Sequence, residues 1–205
     1  MSVRAPFIVL DGVDGCGKST QAARLVEALG ERGFDEVLHL REPGSTSLGE
    51  GLRSLLLSRE HRPSPEVEVL MFAASRRQTL DELVGPALER GAAVVCERFH
   101  ASTFAYQGFA GDVGEDRVME VLLGWANDPE PDLTLVLDLP PGAASERRGE
   151  ARDRIEDKGL TFQERVAEGY RRYVERSSHA RLVDGAGTPE EVERRVLEEV
   201  DVVLG

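Results

Sequence analysis

Cysteine is scarce. The 205 residues hold only Cys16 and Cys96. Two thiols cannot build a disulfide framework, so free, buried or half-buried thiols are expected and a packed core has to hold the chain. Long apolar runs are missing too. No stretch approaches the roughly 18 consecutive apolar residues of a membrane-spanning helix. The opening MSVRAPFIVLDG is too short in apolar residues for a secretory leader and leads straight into a glycine loop, so the cytoplasm is the expected location. Positive charge is in deficit: 25 Lys and Arg against 38 Asp and Glu give a net charge of −13. A protein that coats nucleic acid needs a broad basic surface, so that class is set aside. A small phosphorylated ligand remains compatible, because it needs only a local nest of positive groups.

What is present is ordinary for a globular chain, with 40% hydrophobic and 31% charged residues. The length suits one domain over residues 1–205. Short apolar runs occur at Phe7–Leu10, Val37–Leu40, Ala93–Cys96 and Leu133–Leu137, with a weaker one at Ala180–Val183. Continuous apolar strands separated by helical patterns predict a parallel sheet covered on both faces. Capping boxes are read at Ser47–Glu50, Thr161–Glu164 and Thr188–Glu191, and Ser64-Pro65 supplies a cap followed by proline at the first helical position. On the helix that Ser64 opens, Val67, Leu70, Met71 and Ala74 form one aliphatic stripe. Phe72 and Arg76 lie together, roughly 140–180° away from Val67.

The strongest signal is Gly12-Val13-Asp14-Gly15-Cys16-Gly17-Lys18-Ser19, followed by Thr20. It satisfies G-x-x-x-x-G-K-[ST], directly after a strand and before a helical pattern. Such a loop turns consecutive backbone N–H groups toward phosphate, and the following helix adds its positive end. Lys18 is placed to reach the β- and γ-phosphates of a nucleoside triphosphate, and Ser19 to hold Mg²⁺. No N-K-x-D and no L-S-G-G-Q follows, so switch GTPases and transporter ATPases are excluded. A small phosphotransferase is the class that remains.

Three further segments suit an anionic acceptor, a fourth suits a lid over the triphosphate, and each also has a purely structural reading. Arg41-Glu42-Pro43-Gly44 ends the second strand, where ligands gather in such sheets, with Arg53 one short helix later. The pair Phe72 and Arg76 can stack on and hydrogen-bond a planar base, or Phe72 can pack a second layer. Glu97-Arg98 ends the third strand, where an unpaired charge is costly. Arg98 is suited to bridging donor and acceptor phosphates and Glu97 to holding a magnesium-bound water; Thr103, Tyr106 and Gln107 follow on one helical turn. Arg147, Arg148, Arg152 and Arg154 fall within eight residues and suit a basic lid over about 147–158.

Taken together and in order, FIVLDGVDGCGKSTQ, REPGSTSLGEGLRSLLL, LMFAASRRQ, CERFHASTFAYQG, PDLTLVLDLPP and RRGEARDRIE resemble the thymidylate kinases, nucleoside monophosphate kinases of the P-loop superfamily. The resemblance covers nearly the whole chain. It implies a three-layer α/β/α P-loop fold with a five-stranded parallel sheet and an arginine-rich lid. It implies transfer of phosphate from ATP to dTMP with Mg²⁺. It further implies that Phe72 stacks on thymine and Arg76 reads its polar edge, that Arg53 and Arg98 hold the acceptor phosphate, and that Thr103 and Gln107 fix the base. Tyr106 would lie under the deoxyribose, Asp14 near the 3′-OH or a metal, and Pro43 along the pocket. Gly15 stands where some members carry a basic residue, which implies the bacterial-type arrangement with a catalytic lid arginine, Arg148 or Arg152. A homodimer is implied as well. Three positions depart from the family pattern: Asp11 replaces Glu, Glu97 replaces Asp, and Ser75 replaces Asp. The alternatives left open are a kinase of another deoxynucleotide and a catalytically impaired nucleotide-binding regulator.

Overall fold

A computed structural model describes residues 4–148, 155 and 158–205. Five parallel strands form one sheet: β1 (Phe7–Asp11), β2 (Val37–Arg41), β3 (Ala93–Glu97), β4 (Leu133–Asp138) and β5 (Ala180–Asp184), in the order β2-β3-β1-β4-β5. Each expected strand is present. Each ends one residue later than its apolar run, on a charged side chain at the carboxyl edge. Strand β1 is central and its five residues are buried. Its side chains alternate between two cores. Ile8 and Leu10 pack with residues of α1 (Lys18–Glu31), α8 (Leu160–Arg176) and α9 (Pro189–Leu204). Phe7 and Val9 pack with Leu80, Val84 and Ala87, from the π-helical turn Leu80–Val84 and α4 (Gly85–Glu89). Apolar side chains on both faces of a strand require cover on both sides, and the three-layer α/β/α arrangement supplies it.

The remaining helices are α2 (Ser47–Leu57), α3 (Pro65–Thr79), α5 (His100–Thr103), α6 (Glu115–Trp125) and α7 (Pro141–Arg148). Two of the predicted starts hold. Ser64 caps α3 with Pro65 at its first position, and Thr188 and Glu191 form a reciprocal capping box on α9. Two do not. The cap of α2 is Thr46, whose Oγ1 accepts from Gly49 N at 2.9 Å, while Glu50 reaches back to Ser45 N at 3.2 Å. Helix α8 begins at Leu160 behind Gly159, whose φ of +83° turns the chain without a side-chain cap.

Helix α3 is turned relative to a simple amphipathic reading. Its buried residues are Glu68, Val69, Ala73, Ser75, Arg76 and Thr79, whereas Val67 and Leu70 are 45% and 58% exposed. The polar face goes inward because Glu42, Thr103 and Gln107 wait there with partners. After α5 the chain makes a second π-helical turn over Phe104–Phe109, marked by Ala110 N donating to Ala105 O five residues back. Turns of this kind re-aim side chains, and here the shift falls where Tyr106 and Gln107 were expected on one α-helical turn.

Candidate functional site

Two glycines shape the loop between β1 and α1. Gly12 has φ +131°, and a Cβ there would come within 2.7 Å of Leu137 O. Gly17, at the N-cap of α1, has φ +103°. Both conformations belong to glycine. The Lys18 ammonium turns into the loop, donating to the carbonyl oxygens of Gly12 at 3.0 Å and Val13 at 2.9 Å, with Asp14 Oδ1 at 3.9 Å. On the outer side Ser19 Oγ donates to Glu97 Oε2 at the end of β3, and His39 Nε2 lies 3.0 Å from Glu97 Oε1.

Beneath the loop lies a carboxylate that the sequence reading left without a role. Asp11 is fully buried and accepts from Gly12 N at 3.0 Å, Phe99 N at 3.0 Å, Ser102 N at 3.1 Å, Ser102 Oγ at 2.6 Å and Tyr170 OH at 2.7 Å. These donors come from the phosphate loop, the end of β3, α5 and α8. Asp11 is therefore a structural junction. The same cost argument applied to Glu97-Arg98, that a charge ending an apolar strand needs partners, would have located it.

Arg98 follows β3 with φ +68°, a left-handed conformation that is uncommon outside glycine. Its guanidinium pairs with Asp14, donates to Ser102 Oγ at 2.9 Å and Tyr170 OH at 3.3 Å, and sits 5.5 Å from the centre of the Tyr106 ring. Tyr106 OH donates to Asp14 Oδ2 at 3.1 Å. Burial alone would raise the Asp14 pKa. The Arg98 and Lys18 charges, with hydrogen bonds from Tyr106 and Arg98, outweigh it and hold the carboxyl well below the usual range.

Across the pocket Arg76 is 1% exposed. Its Nε donates to Glu42 Oε2 at 2.6 Å, its Nη2 donates to Thr103 Oγ1 at 3.2 Å, and its carbon centre lies 4.6 Å from the Phe99 ring. Arg76 Nη1 and Glu42 Oε1 are buried and lack a hydrogen-bond partner among the described residues. Gln107 Nε2 donates to the buried Glu68 Oε2 at 2.8 Å. Arg53 Nη1 donates to Pro43 O at 2.9 Å. Burial pushes the Glu42 carboxyl up to about 7, although Arg76 pulls the other way.

All nine residues assigned to the acceptor line this one pocket: Asp14, Pro43, Arg53, Phe72, Arg76, Arg98, Thr103, Tyr106 and Gln107. An adjoining cleft of about 1080 Å³ is lined by Asp14 through Thr20 and by Glu97 and Arg98, while Gly12 and Val13 are buried below it. The two hollows share Asp14, Glu42, Arg53, Leu57 and Arg98. Of the basic cluster, Arg147 reaches the cleft and donates to Gly185 O at 3.1 Å. Arg148 is described only as the last residue of α7. Arg152, and most of the expected lid, lie outside the described residues. Sequence reasoning passes over Glu42, Glu68 and Tyr170, although the first stands in plain view within the Arg41–Gly44 segment.

The thymidylate kinase family model matches residues 10–196. The chain belongs to the thymidylate kinase family. Among its relatives, the thymidylate kinase of Alkalilimnicola ehrlichii is 45% identical over 202 residues, covering 96% of this chain and 92% of the relative. That of Caldanaerobacter subterraneus subsp. tengcongensis is 39% identical over 204 residues, covering 98% of both. That of Gluconobacter oxydans is 43% identical over 206 residues, covering 98% and 96%. Among the described residues of this thymidylate kinase family member, no helix is long and apolar enough to cross a membrane.

The raised Glu42 pKa has a stability consequence of definite sign. Between pH 4.5 and about 7 the native chain binds more protons at Glu42 than the unfolded chain, so stability falls as pH rises through that window. Urea midpoints of the wild type and Glu42→Gln, compared from pH 4.5 to 8, should show the wild type losing ground to the variant as pH rises. A pH-independent gap between them would contradict the assignment.

Proposed function

We propose that this chain transfers the γ-phosphate of ATP to dTMP, giving ADP and dTDP. One observation carries the reading: a pocket for a planar, polar-edged base and a phosphate loop meet at a shared Asp14–Arg98 pair. ATP would lie along the cleft with its phosphates on the loop amides and Lys18. The thymine would stack on Phe72. The unpartnered Nη1 of Arg76 offers a donor to a ring carbonyl oxygen, and Thr103 and Gln107 complete the base edge. Tyr106 and Asp14 would face the deoxyribose, Pro43 would line the wall, and Arg53 and Arg98 would hold the acceptor phosphate. That phosphate is a dianion near neutral pH, so its oxygen attacks the γ-phosphorus in line without a strong base. Catalysis is then positioning and charge stabilisation by Lys18, Arg98 and a lid arginine, Arg148 or Arg152.

The oxygen donors at Ser19 and Glu97 fit Mg²⁺, a hard cation that keeps several waters and takes few protein ligands. Mg²⁺ supplies charge neutralisation at the β- and γ-phosphates when bound. Ser19 would be its protein ligand, and Glu97 would orient a coordinated water.

The chain is further inferred to pair with a second copy of itself. Helices α2, α3 and α6 pack side by side and leave Leu48, Leu55, Leu70, Leu123 and Trp125 between 45% and 76% exposed. Single exposed apolar residues are common, but a group across adjoining helices marks an interface.

Replacing Lys18 or Arg98 by Ala should cut turnover by more than about 10²-fold, close to 3 kcal/mol of transition-state stabilisation; near-normal turnover in either variant would refute the mechanism. Phe72→Ala should raise KM for dTMP and barely change that for ATP, and equal effects on both would remove the stacking role. In sedimentation, the wild type should run as a dimer and Leu70→Asp should shift it toward monomer; a monomeric wild type would rule out the pairing.

A further inference from the structure

Glu97 ends β3 on a flexible side chain, one methylene longer than an aspartate, so a carboxylate there needs partners to hold one position. The structure shows what restrains it. Strands β2 and β3 are in parallel register with His39 opposite Val95 and Arg41 opposite Glu97. His39 and Glu97 are therefore diagonal neighbours on one sheet face, a separation that long side chains can close. Glu97 Oε1 receives the hydrogen bond from His39 Nε2 at 3.0 Å, while Oε2 receives that of Ser19 Oγ. Arg41, the basic side chain directly opposite in the register, pairs instead with Glu50 at 3.4 Å. Glu97 is 15% exposed and held at both oxygens.

We propose that His39 is a positioning residue that fixes the flexible Glu97 side chain at the divalent-cation position beside Ser19. The proposal rests on the reading of Ser19 and Glu97 as the Mg²⁺ position. His39 touches neither nucleotide nor phosphate in this account; it acts by restraining a carboxylate. Glu97 is itself an outer partner of the cation, the kind of group whose loss costs about tenfold or more in metal affinity, and His39 acts one step further out by restraining it.

The test uses Mn²⁺ as a spectroscopic probe, with its free concentration followed by electron paramagnetic resonance in the presence of the whole protein and ADP. His39→Leu should weaken Mn²⁺ binding by about tenfold, and His39→Gln, which keeps an N–H donor of similar reach, should restore it to within about twofold of wild type. In a Glu97→Asp background the shorter carboxylate withdraws from residue 39, so adding His39→Leu should change nothing further. Metal-free binding of dTMP, measured by calorimetry, should be the same in the two His39 variants as in the wild type and reports intact folding. Unchanged Mn²⁺ affinity in His39→Leu, or an equal loss from His39→Leu in the wild-type and Glu97→Asp backgrounds, would overturn the proposal. Unchanged Mn²⁺ affinity in Ser19→Ala would instead overturn the metal position on which it rests.

Discussion

The buried carboxylate of Asp11 is the interaction on which the site depends. It stands at the carboxyl end of the central strand, where a bare charge would be costly, and collects five hydrogen bonds from four separate segments. One of them is Gly12 N, the entry to the phosphate loop. Two others, from Phe99 N and Ser102 N, clasp the chain along the step from β3 into α5. That clasp is what holds Arg98 in its left-handed conformation, because the backbone around it is fixed. Tyr170 OH donates to the same carboxylate from α8, and its oxygen lies 3.0 Å from Gly12 O. The loop and the guanidinium that has to bridge two phosphates are thus set by one buried group.

The charge of the whole chain runs opposite to the chemistry at its centre. A net −13 is spread over the molecule, yet the hollow between β1, β3 and α3 is lined by Lys18, Arg53, Arg76 and Arg98. Each of these cations is held by a hydrogen-bond acceptor of the protein: Gly12 and Val13 carbonyls, the Pro43 carbonyl, Glu42, and Asp14. The partners orient the cations without a broad basic surface. Asp14 has a second function, since it sits where the two hollows meet and is kept ionised by the very arginine it positions.

Much of this was legible in the residues. Buried parallel strands announce themselves as unbroken apolar runs, and the glycine loop carries a motif whose spacing is dictated by phosphate geometry. Thr188 and Ser64 could be read as caps because their signals are local. The rest depended on non-local partners. The face of α3 could not be read from its aliphatic stripe, because its orientation is decided by Glu42, Thr103 and Gln107, which come from elsewhere in the chain. The cap of α2 slipped by one residue because Thr46 and Ser47 are both competent oxygens and only the loop before them selects. The π-helical turn at Phe104–Phe109 has no periodic signature over so short a span. In the sequence Asp11 stands out only as a departure within the resemblance, while its function emerges from donors as far away in sequence as Tyr170.

The identity of the phosphoryl acceptor is decided by the pocket lined by Phe72, Arg76, Thr103 and Gln107, which distinguishes a dTMP kinase from a kinase of another deoxynucleotide or a regulator without catalysis. The purified chain should be given ATP, Mg²⁺ and, in turn, dTMP, dCMP, dAMP and dGMP, with products separated and identified by mass. Conversion of dTMP to dTDP, with little product from the other three, is the predicted result. Preferential use of another acceptor, or ATP binding with no phosphoryl transfer to any of them, would contradict it.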